Sequence, residues 1–275
     1  MTAIGLGARA RLALLLASAG ALLAFVWPLV VSPAAGSAGL QTGHSIDAPA
    51  VFVFVMPVLL IVMVAEVSAG GIDAKALAML GVLSAIGAAL RPLGAGTAGL
   101  ETSFFLLVLA GRVFGPAFGF LLGSTTLFTS ALLTGGVGPW LPFQMLAASW
   151  VGLGAGLLPD LRGRTEIAML MVYGALASVL FGLLMNLWFW PFLAGGESAI
   201  SYVAGAPIGE NLVRLALFSV ATSAAWDVGR AITTVLLVGL AGPAVLIVLR
   251  RAARRAAFGA MPVFGASSSR AGVDS

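Results

Sequence analysis

Residues 101–133 read ETSFFLLVLAGRVFGPAFGFLLGSTTLFTSALL. Two apolar runs, 103–113 and 117–133, flank the dipeptide Gly115-Pro116, and after Glu101 the only charge in the stretch is Arg112. Proline lacks the N–H that an uninterrupted helix needs, so one helix must end here and another begin. At 1.5 Å per residue the first run covers about 17 Å, well short of a hydrocarbon core of about 30 Å. The stretch therefore predicts a short apolar helix that borrows length from its flanks or sits shielded among neighbours. A longer helix follows, with Gly115, Gly119 and Gly123 on one face.

Composition extends that reading to the whole chain. Of 275 residues, 60% are hydrophobic and 9% charged, and the mean hydropathy is +1.10. A soluble domain of this size needs a polar exterior that such a composition cannot supply. With lipid as the solvent the contradiction disappears, and the fold class is an all-α polytopic transmembrane bundle. Cysteine is absent, which excludes disulfides, thiol catalysis and cysteine-ligated metals. The single histidine, His44, argues against a histidine metal site, and no cofactor is implied.

Working outward, eight spans are expected: 12–31, 49–68 (with Glu66 near its end), 76–91, 103–113, 117–133, 142–158, 167–190 and 228–249. Small residues after the first run resemble a signal-peptide cleavage site. The run itself is about 20 residues, longer than a signal h-region, and is read as a retained helix. Residues 210–223 are either an amphipathic lead-in or part of a bent final helix. Arg9, Arg11, Lys75, Arg112, Arg162, Arg164 and the cluster Arg250, Arg251, Arg254, Arg255 fall on one side of these spans. The other side carries Arg91 and Arg214, with Arg230 just inside the last span. By the positive-inside rule both termini are cytoplasmic, in a multi-pass plasma-membrane protein. The same asymmetry accounts for a net charge of +4 and a pI near 10.6 without nucleic-acid binding. The expected organisation is 1–73 as two N-terminal helices, 74–255 as a six-helix core and 256–275 as a flexible cytoplasmic tail.

In lipid, helices associate through small residues that let backbones approach. Such stripes are Ala74, Ala78, Gly81, Ala85 and Ala88/Ala89; Gly115, Gly119 and Gly123; Ala148, Gly152 and Gly156; and Gly174, Ser178 and Gly182. Each is either internal packing or, for the first, a docking face for a second membrane protein. Ionisable groups in hydrocarbon cost about 2.5–3.5 kcal/mol near a helix centre and usually have a partner or a task. Here Arg91, Glu101, Gln144, Asn186, Asp227 and Arg230 gather toward the outer half, with Trp140, Trp188, Trp190 and Trp226 at similar depth. An aromatic-walled cavity with a few amides and charges suits a small molecule. The bland alternatives are an interfacial aromatic belt and local ion pairs, Asp227 with Arg230 and Arg91 with Glu101. No phosphate-binding Gly-x4-Gly-Lys-Ser/Thr loop, Ser/His/Asp set or His-Glu-x-x-His is present, so the chain is not read as an enzyme.

Three features resemble the substrate-binding (S) components of energy-coupling factor (ECF) vitamin transporters. They are the small-residue helix AKALAMLGVLSAIGAALR (74–91), the loop and short helix GAGTAGLETSFFLLVLAGRVFGPAFGFLLG (94–123), and the final helix WDVGRAITTVLLVGLAGPAVLIVLRR (226–251). The resemblance implies a subunit that binds a vitamin or related micronutrient at the outer face. Its partners would be a scaffold transmembrane subunit and two cytoplasmic ATPases. It further implies ligand contacts from Glu101, Gln144, Asn186, Trp188, Asp227 and Arg230, with Arg91 and Trp140 behind them, and docking through Ala74, Ala78, Gly81 and Ala85. A corrinoid such as cobalamin is the favoured ligand, with thiamin-like and riboflavin-like molecules open. The competing classes are an ion-coupled secondary transporter, with Glu66, Asp227 and Arg230 on its path, and a membrane assembly factor or enzyme.

Overall fold

The computed structural model describes residues 8–30, 53, 57, 61, 74–94, 97, 99–193 and 198–257. Among these, every regular element is helical. The order is α1 (Ala8–Val30), α2 (Ala74–Leu90) continued by a 3-10 turn (Arg91–Gly94), α3 (Phe104–Phe114), α4 (Pro116–Thr134), α5 (Leu141–Leu157), α6 (Arg164–Phe189) continued by a second 3-10 turn (Trp190–Phe192), α7 (Ile208–Thr222), α8 (Ala224–Leu240) and α9 (Gly242–Ala257). Of the expected span 49–68, Val53, Pro57 and Ile61 are helical and exposed. The rest of that span with Glu66, and His44, Arg9's side chain and residues 258–275, lie outside the described residues.

The break that the sequence demanded falls at Gly115, with φ +96°. A Cβ is disfavoured at that angle, so glycine makes the turn possible. Its N–H closes α3 on the Gly111 carbonyl at 2.9 Å, and Pro116 opens α4, where no donor is required. The 11-residue α3 is shielded as expected: Phe104 and everything from Leu106 to Gly111 is buried. Around it, α4 and α5 mesh along their glycine ridges. A Cβ placed on Gly119 would strike the Gly152 backbone, one on Gly123 the Ala148 carbonyl, and one on Gly156 the Pro116 backbone. Two of the sequence stripes are thus the two halves of one internal interface.

Against α4, on its α2 side, lie Leu80, Leu83, Ser84, Gly87 and Ala88, and Ser84 Oγ meets Thr125 Oγ1 at 2.6 Å. On the far side of the bundle α1 is anchored by Phe25, edge-on to Phe143 at 5.3 Å, and by Trp150, which donates from Nε1 to Ser18 Oγ at 3.1 Å. Among the described residues, three helical segments are long and apolar enough to cross a membrane, namely Ala74–Gly94, Pro116–Thr134 and Arg164–Phe192. A fourth crossing is formed if α7 and α8, bent by 71° at Ser223, count as one broken span. Large apolar side chains such as Leu176 and Leu240 face outward, as lipid-facing positions do.

One open stretch is resolved and one expected boundary changes. Residues 210–223 fall in α7 (Ile208–Thr222) and the Ser223 bend, where the chain turns by 71° into α8, the bent arrangement among the two readings of the sequence. The final span, expected as 228–249, starts earlier at Ala224 and is interrupted at Ala241. Pro243 explains the interruption, because it has no N–H to give the Gly239 carbonyl.

Candidate functional site

The polar groups of one end of the bundle form two clusters joined by Phe104. The first gathers around the exit of α2. Arg91 Nε lies 3.8 Å from Glu101 Oε2, and its Nη2 donates to Gln144 Oε1 at 3.3 Å. Glu101 Oε1 also accepts from the Ser103 hydroxyl (2.8 Å) and N–H (3.2 Å), which fixes the carboxylate over the first turn of α3. The glycine-containing loop before it folds back on α2: Thr97 donates to the Gly94 carbonyl, and the Thr102 hydroxyl donates to the Leu90 carbonyl. Gly99, at φ +84°, lies flat against the Trp226 carbonyl, so this loop closes onto the start of α8.

The second cluster sits where α8 meets α6. Arg230 Nη1 donates both to Asp227 Oδ1 at 2.8 Å and to the Ser178 carbonyl at 3.0 Å. Its guanidinium lies 5.7 Å from the Phe104 ring and 5.1 Å from the Phe181 ring, and those rings meet edge-to-face at 5.0 Å. Cation–π attraction and the ion pair together hold a charge that is largely buried. The Asp227 carboxylate rests on Gly182, where any Cβ would collide with it. One turn further, Asn186 donates to Ser219 Oγ (3.0 Å) and accepts from Ser223 Oγ (2.9 Å). One turn back, Gly174 receives Thr234, whose hydroxyl is 3.3 Å from Ser178 Oγ. The line Gly174, Ser178, Gly182 and Asn186 is therefore the rail along which α8 and the end of α7 are seated.

Comparison with known families bears on this arrangement. The family model described as "ECF transporter, substrate-specific component" matches residues 75–242, more than half of the chain. The chain belongs to this family. It is a substrate-binding subunit of an ECF importer, which associates with scaffold and ATPase subunits and is a transport protein rather than an enzyme. Among curated proteins and among solved structures, nothing matches. The match begins at α2 and ends as α9 starts, so α1 and most of α9 lie outside it.

Within this S component the two clusters hold Arg91, Glu101, Gln144, Asn186, Asp227 and Arg230. Two of the sequence candidates stand apart. Trp188 is buried and stacks at 5.6 Å on Phe143, toward α1 and α5. Trp140 is 41% exposed at the start of α5, its ring over Gly138. Sequence reasoning missed Phe104, Phe181, Ser219 and Ser223. Nothing in a uniformly apolar helix marks which phenylalanines will face an arginine, and the serines become visible only once the bend at Ser223 turns α7 back onto Asn186.

The opposite, basic end is built differently. Glu166, 1% exposed, accepts from Arg112 Nε at 2.8 Å and from Arg250 Nη2 at 2.6 Å. Arg112 further donates to the Leu158 and Leu161 carbonyls and to Asp160. Three helices, α3, α6 and α9, are thus tied through one carboxylate oxygen. Two recesses lie at this end: one of about 580 Å³ between α6 and the α8–α9 junction, lined in part by Glu166 and Arg250, and one of about 460 Å³ between α2, α3 and α9. They are not where the sequence placed the ligand.

The docking stripe is more direct. Ala74, Ala78, Gly81 and Ala85 are all exposed, and a Cβ added to Gly81 would meet no atom within 4 Å. Of the four small-residue stripes, this one is left uncovered by the described residues.

Proposed function

We propose that this S component captures a vitamin-class micronutrient at the end of the bundle opposite Arg250, Arg251 and Arg254, and presents the Ala74, Ala78, Gly81 and Ala85 face to its scaffold subunit. The observation that carries the reading is the Phe104 junction. Phe104, the residue after the Ser103 that Glu101 caps, lies under the Arg230 guanidinium, so the α3 start that carries the Arg91, Glu101 and Gln144 group also reaches the Asp227 and Arg230 pair. The positive-inside rule supports a cytoplasmic basic end, with both termini inside and the patch facing out.

Each polar group keeps capacity for a ligand. Arg230 makes both of its bonds through Nη1, which leaves Nη2 as a donor; Arg91 makes one hydrogen bond of the five that a guanidinium offers. Asn186 stiffens the α6–α7 contact beside them. The case for a corrinoid rests on a large cavity framed by the two additional N-terminal helices and abundant tryptophans. Trp150 and Trp190 are engaged in the bundle, through Ser18 and through the Ile200 carbonyl. A smaller ring-bearing vitamin with an anionic or amide group is therefore better supported, and a corrinoid is the second ligand to test.

The test is mass spectrometry of small molecules that copurify with the full chain, without ATP. Retention is expected in the wild type and lost in Gln144→Ala and Asn186→Ala, with unchanged elution on size exclusion. Retention in both variants would overturn the site. Uptake by the chain alone in liposomes under an ion gradient would instead support a secondary transporter.

A further inference from the structure

The recess between the start of α2, the end of α3 and α9 is not used by capture or by the docking stripe. Its lining is Lys75, Ala76, Met79, Phe114, Val248, Arg251 and Ala252, around about 460 Å³. Two properties distinguish it. The body is apolar and its outer wall opens sideways: Val248 is 65% exposed on a helix whose neighbouring Ile247 also faces out. The rim carries two cations and, among the lining residues, no acid.

Among the described residues neither cation is engaged in an ion pair, unlike Arg112, Arg162, Arg214, Arg230 and Arg250. Lys75 and Arg251 are both exposed. They come from helices far apart in the chain, so their approach across the groove is a product of the fold. At about 100° per residue, Lys75 and Met79 project from a side of α2 next to the Ala74, Ala78, Gly81 and Ala85 stripe rather than from the stripe itself.

We propose that this recess is a binding site for one anionic phospholipid, the phosphate between Lys75 and Arg251 and an acyl chain along Met79, Phe114 and Val248. Charge complementarity selects the headgroup, and the lateral opening selects a lipid over a soluble anion, which has no use for an apolar wall. The basic pockets that bind such lipids sit at this depth, between helices, at the charged boundary of the membrane. The recess on the other side of α9 is a poorer candidate, because its Arg250 is already held by the buried Glu166. Placed beside the docking stripe, the lipid would line the edge of the scaffold contact.

The experiment uses the full chain in nanodiscs of equal parts phosphatidylglycerol and phosphatidylcholine, released gently and weighed by native mass spectrometry. The wild type is expected to retain one phosphatidylglycerol in preference to phosphatidylcholine. Each basic residue near an anionic headgroup strengthens binding about fivefold, so the Lys75→Gln/Arg251→Gln pair should weaken retention by about 25-fold. Arg254→Gln, an exposed arginine of α9 outside the recess, should leave it unchanged. Ala252→Trp fills the groove while keeping both cations, and should also abolish retention. Equal retention by the double variant, equal loss in Arg254→Gln, or full retention in Ala252→Trp would overturn the site. So would loss of scaffold association in the double variant with lipid retention intact, since the recess would then be a protein contact.

Discussion

Substitution of Glu166 tests the clamp at the basic end. One oxygen of this buried carboxylate serves two guanidinium groups from two other helices. Breaking a buried ion pair by removing one partner costs about 3–5 kcal/mol. Two features move the figure to the lower end. Arg112 keeps the Leu158 and Leu161 carbonyls and Asp160 as acceptors, and the Arg250 side chain is 37% exposed, so water can replace its partner. Glu166→Leu should therefore cost about 3 kcal/mol. Glu166→Gln, which keeps an acceptor oxygen but loses the charge, should cost about 1–2 kcal/mol. At about 2–4 °C per kcal/mol for a chain near this size, the expected falls in Tm are about 6–12 °C and about 2–8 °C. The assay is tryptophan fluorescence of the purified chain in mild detergent during a thermal ramp. Arg112→Gln should be more harmful than Arg250→Gln, because the Arg112 side chain is only 8% exposed. A Glu166→Gln protein that melts within about one degree of the wild type, or the reverse ranking of the arginines, would refute the clamp.

The glycine interfaces and the N-terminal anchor give three further tests. Gly152→Leu should prevent α4 and α5 from closing and yield little folded protein on size exclusion, because its Cβ already collides with the Gly119 backbone. Gly81→Leu should leave Tm within about one degree, since open space surrounds that position, yet abolish copurification with the scaffold subunit; intact assembly would remove the docking proposal. Trp150→Phe deletes the donor to Ser18 and should cost about 1 kcal/mol, seen as a Tm lower by a few degrees and faster proteolysis within α1.

Much of the fold was legible because lipid makes the code simple. Apolar runs, a Gly-Pro break and stripes of small residues name the helices and the faces that touch. The α4–α5 contact is the clearest case: Gly119, Gly123, Ala148, Gly152 and Gly156 announce two backbones that need room. The site was legible in part for a different reason. Charges in hydrocarbon must find partners, so Asp227 with Arg230 and Arg91 with Glu101 followed from their depth and spacing alone. Gln144 and Asn186 lie at that end, but their partners Arg91, Ser219 and Ser223 could not be read from sequence, since these depend on how helices far apart in sequence rotate against each other. Trp140 and Trp188 lie away from both clusters, because an indole at the right depth is equally at home in packing. Glu166 was passed over altogether. In sequence it is one acidic residue in a first helical turn near Arg162 and Arg164, where a solvated loop pair is the ordinary outcome. Its burial is decided by Arg112 and Arg250, 54 and 84 residues away.

The two ends of the bundle hold their charges in ways that suit different tasks. At the basic end a single oxygen ties α3, α6 and α9, and α4 and α5 interlock beside them through glycines that tolerate no displacement. At the other end the ties are between side chains of moderate length around a loop, and α7 buries only Asn211, Leu215 and Phe218. A ligand entering there has to part the loop from Trp226 or shift α7 about the bend at Ser223. The first move parts a backbone contact; the second breaks the Asn186 bonds to Ser219 and Ser223, each costing about 1 kcal/mol, and unseats only Leu215 and Phe218 from the core. The capacity to open is thus concentrated where the uncommitted donors of Arg91 and Arg230 lie. The rigid half carries the α2 face through which motion would be passed to a scaffold. Locking α7 to the end of α6 should separate these roles: a disulfide between cysteines introduced at Trp190 and Phe218, whose rings meet at 6.4 Å, should slow ligand exchange in the oxidised protein and leave scaffold association unchanged. Exchange at the same rate with and without reductant would place the entrance elsewhere.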